Sequence, residues 1–417
     1  MGDDRPPRNL KAMLSESKDT SELMVDLAYA ALFFDDEAMA NEVHELEERL
    51  SDLIHEMREI CVLAGRSPRE AEQMSSVLHL VSAIERLANA AVDITRVVTH
   101  RLGIPPDLVA DLAAAEEISH RVRIRPESAL AQRRLSEVEL PVEVGMRVMA
   151  IRRGKEWLID PDGDDVVMAE DVLILRGSPD GIDELRELAG APEWRPPTVE
   201  YDPTSTDLDR AVDTLVEMKN ISEVAVGLAY SALLFNDQSL AAEVSHLEDR
   251  LDEMRERLEI WVLRSAADEV DPSPLRGLLH LGAAAEEIGD AAQQMVWLVE
   301  EGEEMHPIVA MALGDADEVI ARVPVAPGAP LDGLTLKDAQ LETETGFYLL
   351  AIRRAGRYLY RPRGPVRIEA GDELIGSGPD EGQPLLAQLC GYRLLEDEGT
   401  GEIELVPVAS ALANGAD

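Results

Sequence analysis

One offset of 201 residues organises this 417-residue chain. Leu27-Ala28-Tyr29-Ala30-Ala31-Leu32 returns as Leu228-Ala229-Tyr230-Ser231-Ala232-Leu233, and Leu78-His79-Leu80 returns as Leu279-His280-Leu281. The same step joins Ala150-Ile151-Arg152-Arg153 to Ala351-Ile352-Arg353-Arg354, Asp171 to Asp372, and Gly177 to Gly378. Solenoid repeats have periods of about 20–50 residues, so a step this long means two copies of a domain-sized unit. Whatever fold the chain adopts must be built twice.

Each copy opens with helical periodicity. Val43, Leu46, Leu50, Leu53, Met57 and Ile60 step by three or four, as do Val77, Leu80, Ile84, Leu87, Ala91, Ile94 and Val98. Copy two repeats the seam with Val244, Leu247, Leu251, Met254 and Leu258. Long amphipathic helices with short turns near 65–68 and 271–274 predict antiparallel bundles. From about Val122 the pattern changes to short apolar runs such as Val172-Leu173-Ile174-Leu175, set between turn formers, and Asp180 to Leu188 reads as a closing helix. The fold class expected is α+β multidomain, with each all-α bundle followed by a small α+β domain. The expected boundaries are 1–120 and 121–191 in copy one, a linker at 192–204, 205–320 and 321–398 in copy two, and an acidic tail at 399–417.

Composition removes several function classes. Asp plus Glu number 83 against 39 Lys plus Arg, a formal charge of −44, and only five of the bases are lysines. Such a chain is similar to cytosolic proteins of salt-accumulating archaea, where molar salt with a Debye length of about 3 Å screens the self-repulsion. Nucleic acid and anionic lipid both need a basic footprint that the bulk surface lacks. No stretch approaches the ~20 apolar residues of a membrane span, and the N-terminus has no apolar signal core. The two cysteines, Cys61 and Cys390, sit in unrelated contexts. A cytoplasmic protein is the expectation.

The helical halves resemble PhoU-like domains, whose hallmark helix runs roughly E-R-x-G-D-x-x-x-N. Glu286-Glu287-Ile288-Gly289-Asp290-Ala291-Ala292-Gln293-Gln294 is similar to it, as is Glu85-Arg86-Leu87-Ala88-Asn89-Ala90-Ala91-Val92-Asp93. The strand-rich halves resemble the C-terminal domain of TrkA-type potassium-uptake regulators. The carriers are Gly346-Phe347-Tyr348-Leu349-Leu350-Ala351-Ile352-Arg353-Arg354, then Gly371-Asp372-Glu373-Leu374-Ile375-Gly376-Ser377-Gly378. Copy one matches with Glu170 in place of the first of those last glycines. The resemblance implies a regulator of ion transport, dimeric, acting on a membrane cation transporter or channel subunit without itself inserting, and able to bind cyclic di-AMP. No G-x-G-x-x-G follows a strand and opens a helix, so NAD sensing is not implied.

Two sets of residues carry candidate chemistry. PhoU-like domains can hold divalent metal through E-x-x-x-D pairs, and i,i+4 spacing places both carboxylates on one helix face. Glu286 with Asp290 and Glu248 with Asp252 form that set in copy two, whereas Glu85 with Asn89 and Glu47 with Ser51 lose half the acids in copy one. Acids at a fifth of all positions produce such pairs by composition alone, so a solvated acidic face is the better account of them. The second set stands out by charge contrast. Residues 346–368 hold six arginines and no acid, while residues 145–168 of copy one have a net charge of −1. Arg353, Arg354, Arg357 and Arg361, with Tyr358 and Tyr360, are therefore the ligand-binding candidates, joined by Arg152 and Arg153 in copy one. Guanidinium forks suit phosphate and the tyrosines give a base a face to stack on. The competing account pairs these arginines with acids of the same chain.

Asp160-Pro161-Asp162-Gly163-Asp164-Asp165 imitates the start of a calcium loop, but its sixth position is not glycine and its flanks read as strands, so a turn is expected. His79 and His280 read as core or interface residues, and Tyr29, Tyr230, Phe34 and Phe235 as core. No nucleophile elbow, Walker loop or His/Cys cluster is visible, so no enzyme is expected. The function expected is a ligand-sensing regulator of cation (potassium) transport. A PhoU-type metal-dependent regulator of phosphate uptake and a ligand-free dimeric scaffold are the alternatives.

Overall fold

The computed structural model describes residues 9–113, 118–194, 206–266, 272–302, 305–316, 318–396 and 403–408. Copy one consists of α1 (Leu10–Phe34), α2 (Glu37–Ala64), α3 (Pro68–Thr99), α4 (Pro106–Ala113), β1 (Ile118–Arg123), β2 (Arg133–Arg134), α5 (Leu135–Val138), α6 (Leu140–Glu143), β3 (Met146–Arg153), β4 (Glu156–Ile159), β5 (Val166–Val167), β6 (Val172–Gly177) and α7 (Ile182–Leu188). Copy two consists of α8 (Asp207–Phe235), α9 (Gln238–Ser265), α10 (Leu275–Glu300), α11 (Pro307–Leu313), β7 (Glu318–Pro324), α12 (Leu336–Ala339), α13 (Leu341–Thr345), β8 (Tyr348–Arg354), β9 (Arg357–Tyr360), β10 (Glu373–Pro379), α14 (Gln383–Leu389), β11 (Tyr392–Glu396) and β12 (Ile403–Pro407). The α+β multidomain class expected from the sequence is the one observed.

Caps set the helix ends as the local sequence dictates. Asp36 accepts from the N–H groups of Ala38 and Met39 to start α2, and Asp237 does the same for Ser239 and Leu240 in α9. Ser67 caps α3 with Pro68 in its first turn, and Thr206 with Asp209 makes a capping box for α8. In α2 the buried row is Met39, Val43, Leu46, Leu50, Leu53, Met57 and Cys61, so one stripe packs and the rest meets water. Helices α1 and α8 are instead buried on most sides, because each packs against its own bundle and against the other copy.

Two compact units emerge: residues 1–137 with 148–316, and residues 138–147 with 317–417. The first holds both helical bundles and the first sheet. Its bundles meet through α3 against α10, in an antiparallel crossing where repeat-equivalent residues touch. Arg86 donates to Glu287, its own counterpart 201 residues on, at 2.7 Å, while His79 rests against Trp297 with ring centroids 5.4 Å apart. Lys18 lies over the Tyr230 ring at 5.7 Å, and its counterpart Lys219 lies over Tyr29 at 5.4 Å. The two helical bundles thus form an internal pseudo-two-fold pair within one chain. Gly277 is required there, since a Cβ would overlap the carbonyl oxygen of Gly103 from copy one. The first sheet, in the antiparallel order β1-β6-β3-β4, belongs to the same unit apart from the first two residues of β3. Asp160–Asp165 connects β4 to β5 as a turn, with the Asp162 N–H on Asp165 and the Asp164 N–H on Asp162.

The second unit is built on the antiparallel sheet β7-β10-β8-β9. Phe347, Leu349, Ile352, Leu374, Leu386 and Cys390 are central to its core. Gly378 lets the Phe347 ring lie directly on β10, because a Cβ there would fall 2.8 Å from that ring. The acidic tail expected from residue 399 needs correction: residues 403–407 form β12, paired with β11 in an antiparallel hairpin. Leu405 and Tyr392 pack on the core, and that burial orders the segment. Most of the expected linker, from residue 195, and the part of the second turn before 272 lie outside the described residues.

Candidate functional site

The arginine-rich stretch of copy two folds as the β8–β9 hairpin at one edge of the second sheet. Its register pairs Arg353 with Tyr358, Ala351 with Tyr360, and Arg354 with Arg357. Side chains alternate across a strand, so Tyr358 and Tyr360 share one face with Arg353, while Arg357 and Leu359 take the other. The two tyrosine rings are parallel, 4° apart in plane and 6.4 Å between centroids. Arg353 sits over the Tyr358 ring at 5.8 Å and reaches Glu373 at 3.2 Å, a carboxylate it shares with Arg322. Arg361, whose positive φ of 40° takes it out of the pleat, donates from Nε to the Tyr348 hydroxyl at 3.0 Å.

Arg354 has a different task. It donates to both oxygens of Asp372 at 2.7 Å and to the carbonyl of Arg367 at 2.6 Å. Asp372 is almost wholly buried and also accepts the Glu369 N–H at 2.8 Å. Copy one repeats this clip: Arg153 donates to both oxygens of buried Asp171 at 3.0 and 2.7 Å and to the Val166 carbonyl at 2.8 Å. Hydrogen bonds to the aspartates push both guanidinium pKa values up. Arg152 stacks on Trp157 and pairs with Asp36, the cap of α2, at 3.5 Å, with Arg121 on the same carboxylate at 3.6 Å. Of the eight candidates, the hairpin face brings together Tyr358, Tyr360, Arg353 and Arg361. Arg153 and Arg354 hold sheets together, and Arg152 joins the first sheet to its bundle.

The acidic candidates converge only in part. Glu248, Asp252 and Asp290 place carboxylate oxygens within 4.8 Å of one another, bringing the facing turns of α9 and α10 to one point. Burial first, then the charges of Asp252 and Asp290, push the Glu248 carboxyl up to about 7, and Gln293 donates to it at 2.8 Å. Glu286 is turned away to Arg255, with burial raising its pKa. Arg86 of copy one crosses the pseudo-two-fold to Asp290 at 2.6 Å. Three carboxylates suit a hard or first-row cation, with the guanidinium of Arg86 supplying counter-charge when none is bound. In copy one Glu85 is engaged by Arg58.

Sequence reasoning missed a charged cluster at the pseudo-two-fold itself. Lys18 pairs with Glu22 at 2.8 Å, and Lys219 pairs with Glu223 at 2.8 Å. Arg176 of the first sheet bonds Asp26 of copy one and lies 3.6 Å from Glu223 of copy two, so one side chain spans both halves. Tyr29 and Tyr230 are buried here, and desolvation raises both phenols well above their ordinary range. A signal was available: of five lysines in the chain, two stand exactly one repeat apart on apolar helices. His280, expected in the core, has its Nε2 buried with no hydrogen-bond partner among the described residues.

Comparison with known proteins follows the same division. The PhoU domain model matches residues 14–98 and 215–299, and the TrkA-C domain model matches 120–190 and 320–391. The crystal structure of PhoU from Pseudomonas aeruginosa is 15% identical, covering 70% of this chain and 93% of its own, with a TM-score of 0.38. The GsuK RCK domain is 16% identical, covering 66% of this chain and 64% of its own, with a TM-score of 0.18. The GsuK channel bound to NAD is 15% identical, covering 76% and 65% respectively, again at 0.18. No curated protein matches. Among the described residues no helix is long and apolar enough to cross a membrane.

Proposed function

Since the chain belongs to the proteins that join PhoU and TrkA-C domains, here each present twice, we propose that it is a ligand-sensing regulator of cation transport, with potassium the expected ion. Both domain types support a regulatory role. In this reading the second sheet takes a small anionic ligand such as cyclic di-AMP, and the helical bundles pass the change to a membrane transporter or channel subunit. A second copy of the chain completes the assembly. Binding can act only through unequal affinity for two arrangements of the protein.

The observation that carries the reading is the divergence of two repeat-equivalent edges. Strands β4 and β9 occupy the same place in sheets of the same topology. Yet Glu156-Trp157-Leu158-Ile159-Asp160 in one is Arg357-Tyr358-Leu359-Tyr360-Arg361 in the other. Scaffold residues stay alike across the repeat, as Arg153–Asp171 and Arg354–Asp372 do, so a reversal of charge confined to one edge points to a ligand. A second reading, metal-dependent PhoU-type regulation of phosphate uptake, is favoured by the convergence of Glu248, Asp252 and Asp290.

Thermal unfolding in molar KCl against cyclic di-AMP, cyclic di-GMP, AMP, ATP, phosphate and divalent metals separates these readings. A ligand at 100 times its Kd stabilises the native state by about 2.7 kcal/mol. A shift with a cyclic dinucleotide supports the sensor. A metal shift with a flat nucleotide panel moves the assignment to the PhoU-type reading. No shift at all leaves a ligand-free scaffold.

A further inference from the structure

The parallel tyrosines of β9 have a separation that matters. Carbon atoms make their best contact at about 3.5–4.0 Å, so a flat ring held on both faces needs about 7 Å between its neighbours. The Tyr358 and Tyr360 rings are parallel to within 4° with centroids 6.4 Å apart, so side-chain rotation on the exposed hairpin has to open them to that spacing before a ring enters. The strand repeat sets this geometry: both rings project from one pleat face, and the small Ala351 beneath Tyr360 leaves that ring room. The cations are placed at the two ends of the pair. Arg353 lies over Tyr358, and Arg361 leaves the pleat directly after Tyr360.

We propose that Tyr358 and Tyr360 form a clamp that sandwiches one planar aromatic ring, with Arg361 and Arg353 taking the phosphate attached to it. The ligand class is a phosphorylated heteroaromatic, a nucleotide in the simplest case, bound through its π-face instead of by a base-specific edge. This rests on the sensor reading above and narrows it, because one chain supplies the whole clamp and the second copy of the repeat cannot. In copy one the same backbone carries Trp157 and Ile159, so only one ring is present, and Asp160 stands in the left-handed position held by Arg361. The pleat also separates the arginines: Arg357 faces away from the tyrosines.

The test is equilibrium titration of the full chain in molar KCl with AMP, adenosine, ribose 5-phosphate and cyclic di-AMP. One AMP per chain is expected, with ribose 5-phosphate at least about tenfold weaker, because stacking on an aromatic side chain is what it lacks. Tyr358→Ala and Tyr360→Ala should each weaken AMP about 5- to 150-fold, while Tyr360→Phe and Arg357→Gln retain it. Arg361→Gln should weaken AMP but leave adenosine unchanged. The Tyr360→Phe variant keeps the ring and controls for folding. Ribose 5-phosphate binding as tightly as AMP, or AMP affinity unmoved by both alanine variants, overturns the clamp and leaves the sensor reading standing. Two AMP per chain also overturns it. Absence of binding by all four compounds overturns the clamp and the sensor reading together.

Discussion

Removing Arg354 tests whether this arginine holds the sheet or the ligand. Asp372 is 1% exposed and accepts two bonds from Arg354, whose own side chain is 31% exposed. Truncating one partner of a buried ion pair costs about 3–5 kcal/mol. Asp372 keeps the Glu369 N–H, and water can follow the vacated guanidinium, so Arg354→Ala should cost about 2–3 kcal/mol. For a unit of about 110 residues, 1 kcal/mol moves the midpoint by about 4–8 °C, giving a fall of roughly 8–24 °C. The chain itself supplies the assay. All four tryptophans, Trp157, Trp194, Trp261 and Trp297, belong to the first unit, while the second has tyrosines and Phe347 but no tryptophan. Calorimetry or circular dichroism should show the second unit melting early, with the tryptophan-reported transition in place. Arg153→Ala, the repeat-equivalent change, should lower the tryptophan-reported transition near Trp157 instead. Arg357→Ala should stay within about 0.5 kcal/mol, as an exposed surface change does. An Arg354→Ala protein as stable as the parent would refute the assignment of Arg354 to the fold.

Lys18 is 2% exposed and pairs with both Asp19 and Glu22, so Lys18→Met should cost about 3 kcal/mol by removing the cation they share, and adding Glu22→Gln should recover part of it in a double-mutant cycle by urea unfolding. The Glu248 carboxyl titrates near 7 in the folded chain against an ordinary value of 4.5, so the native state holds an extra proton between those values. Stability should therefore fall as pH rises from 4.5 to 7, and Glu248→Gln should flatten that slope in denaturant titrations. Any cation bound at the carboxylates must displace that proton, so Mn²⁺ affinity measured by calorimetry should rise through the same window. With a formal charge of −44, the melting temperature should climb between 0.1 M and 2 M KCl as the Debye length shrinks from about 10 Å towards 3 Å; a flat or falling profile would contradict screening of self-repulsion.

Much of this protein could be read from its residues. Apolar spacing located α2 and α3, the cap residues Asp36 and Ser67 stand where the helices begin, and the pair of arginines 18 residues before an aspartate marked the sheet domains in both copies. What escaped were relations between residues far apart in sequence. The six arginines of residues 346–368 looked like one cluster, yet Arg354 is drawn to a buried aspartate and Arg357 turns away from Arg353, because strand alternation and a carboxylate 18 residues on decide where each fork points. The carboxylates showed the same limit: spacing proposed four, and Arg255, on the opposite helix, removed Glu286 from the set. The β11–β12 hairpin escaped because its second strand is short and follows an acidic run, and only contact with the core orders it.

The sequence by itself determined that there are two copies, where their helices and strands run, and which edge has reversed its charge, since all of these are matters of local pattern and offset. Tertiary structure alone decided that the helical halves pair with each other inside one chain. That pairing rests on Lys18 over Tyr230 and Lys219 over Tyr29, contacts spanning about two hundred residues. Periodicity specifies that a helix face must be covered, and packing complementarity selects what covers it.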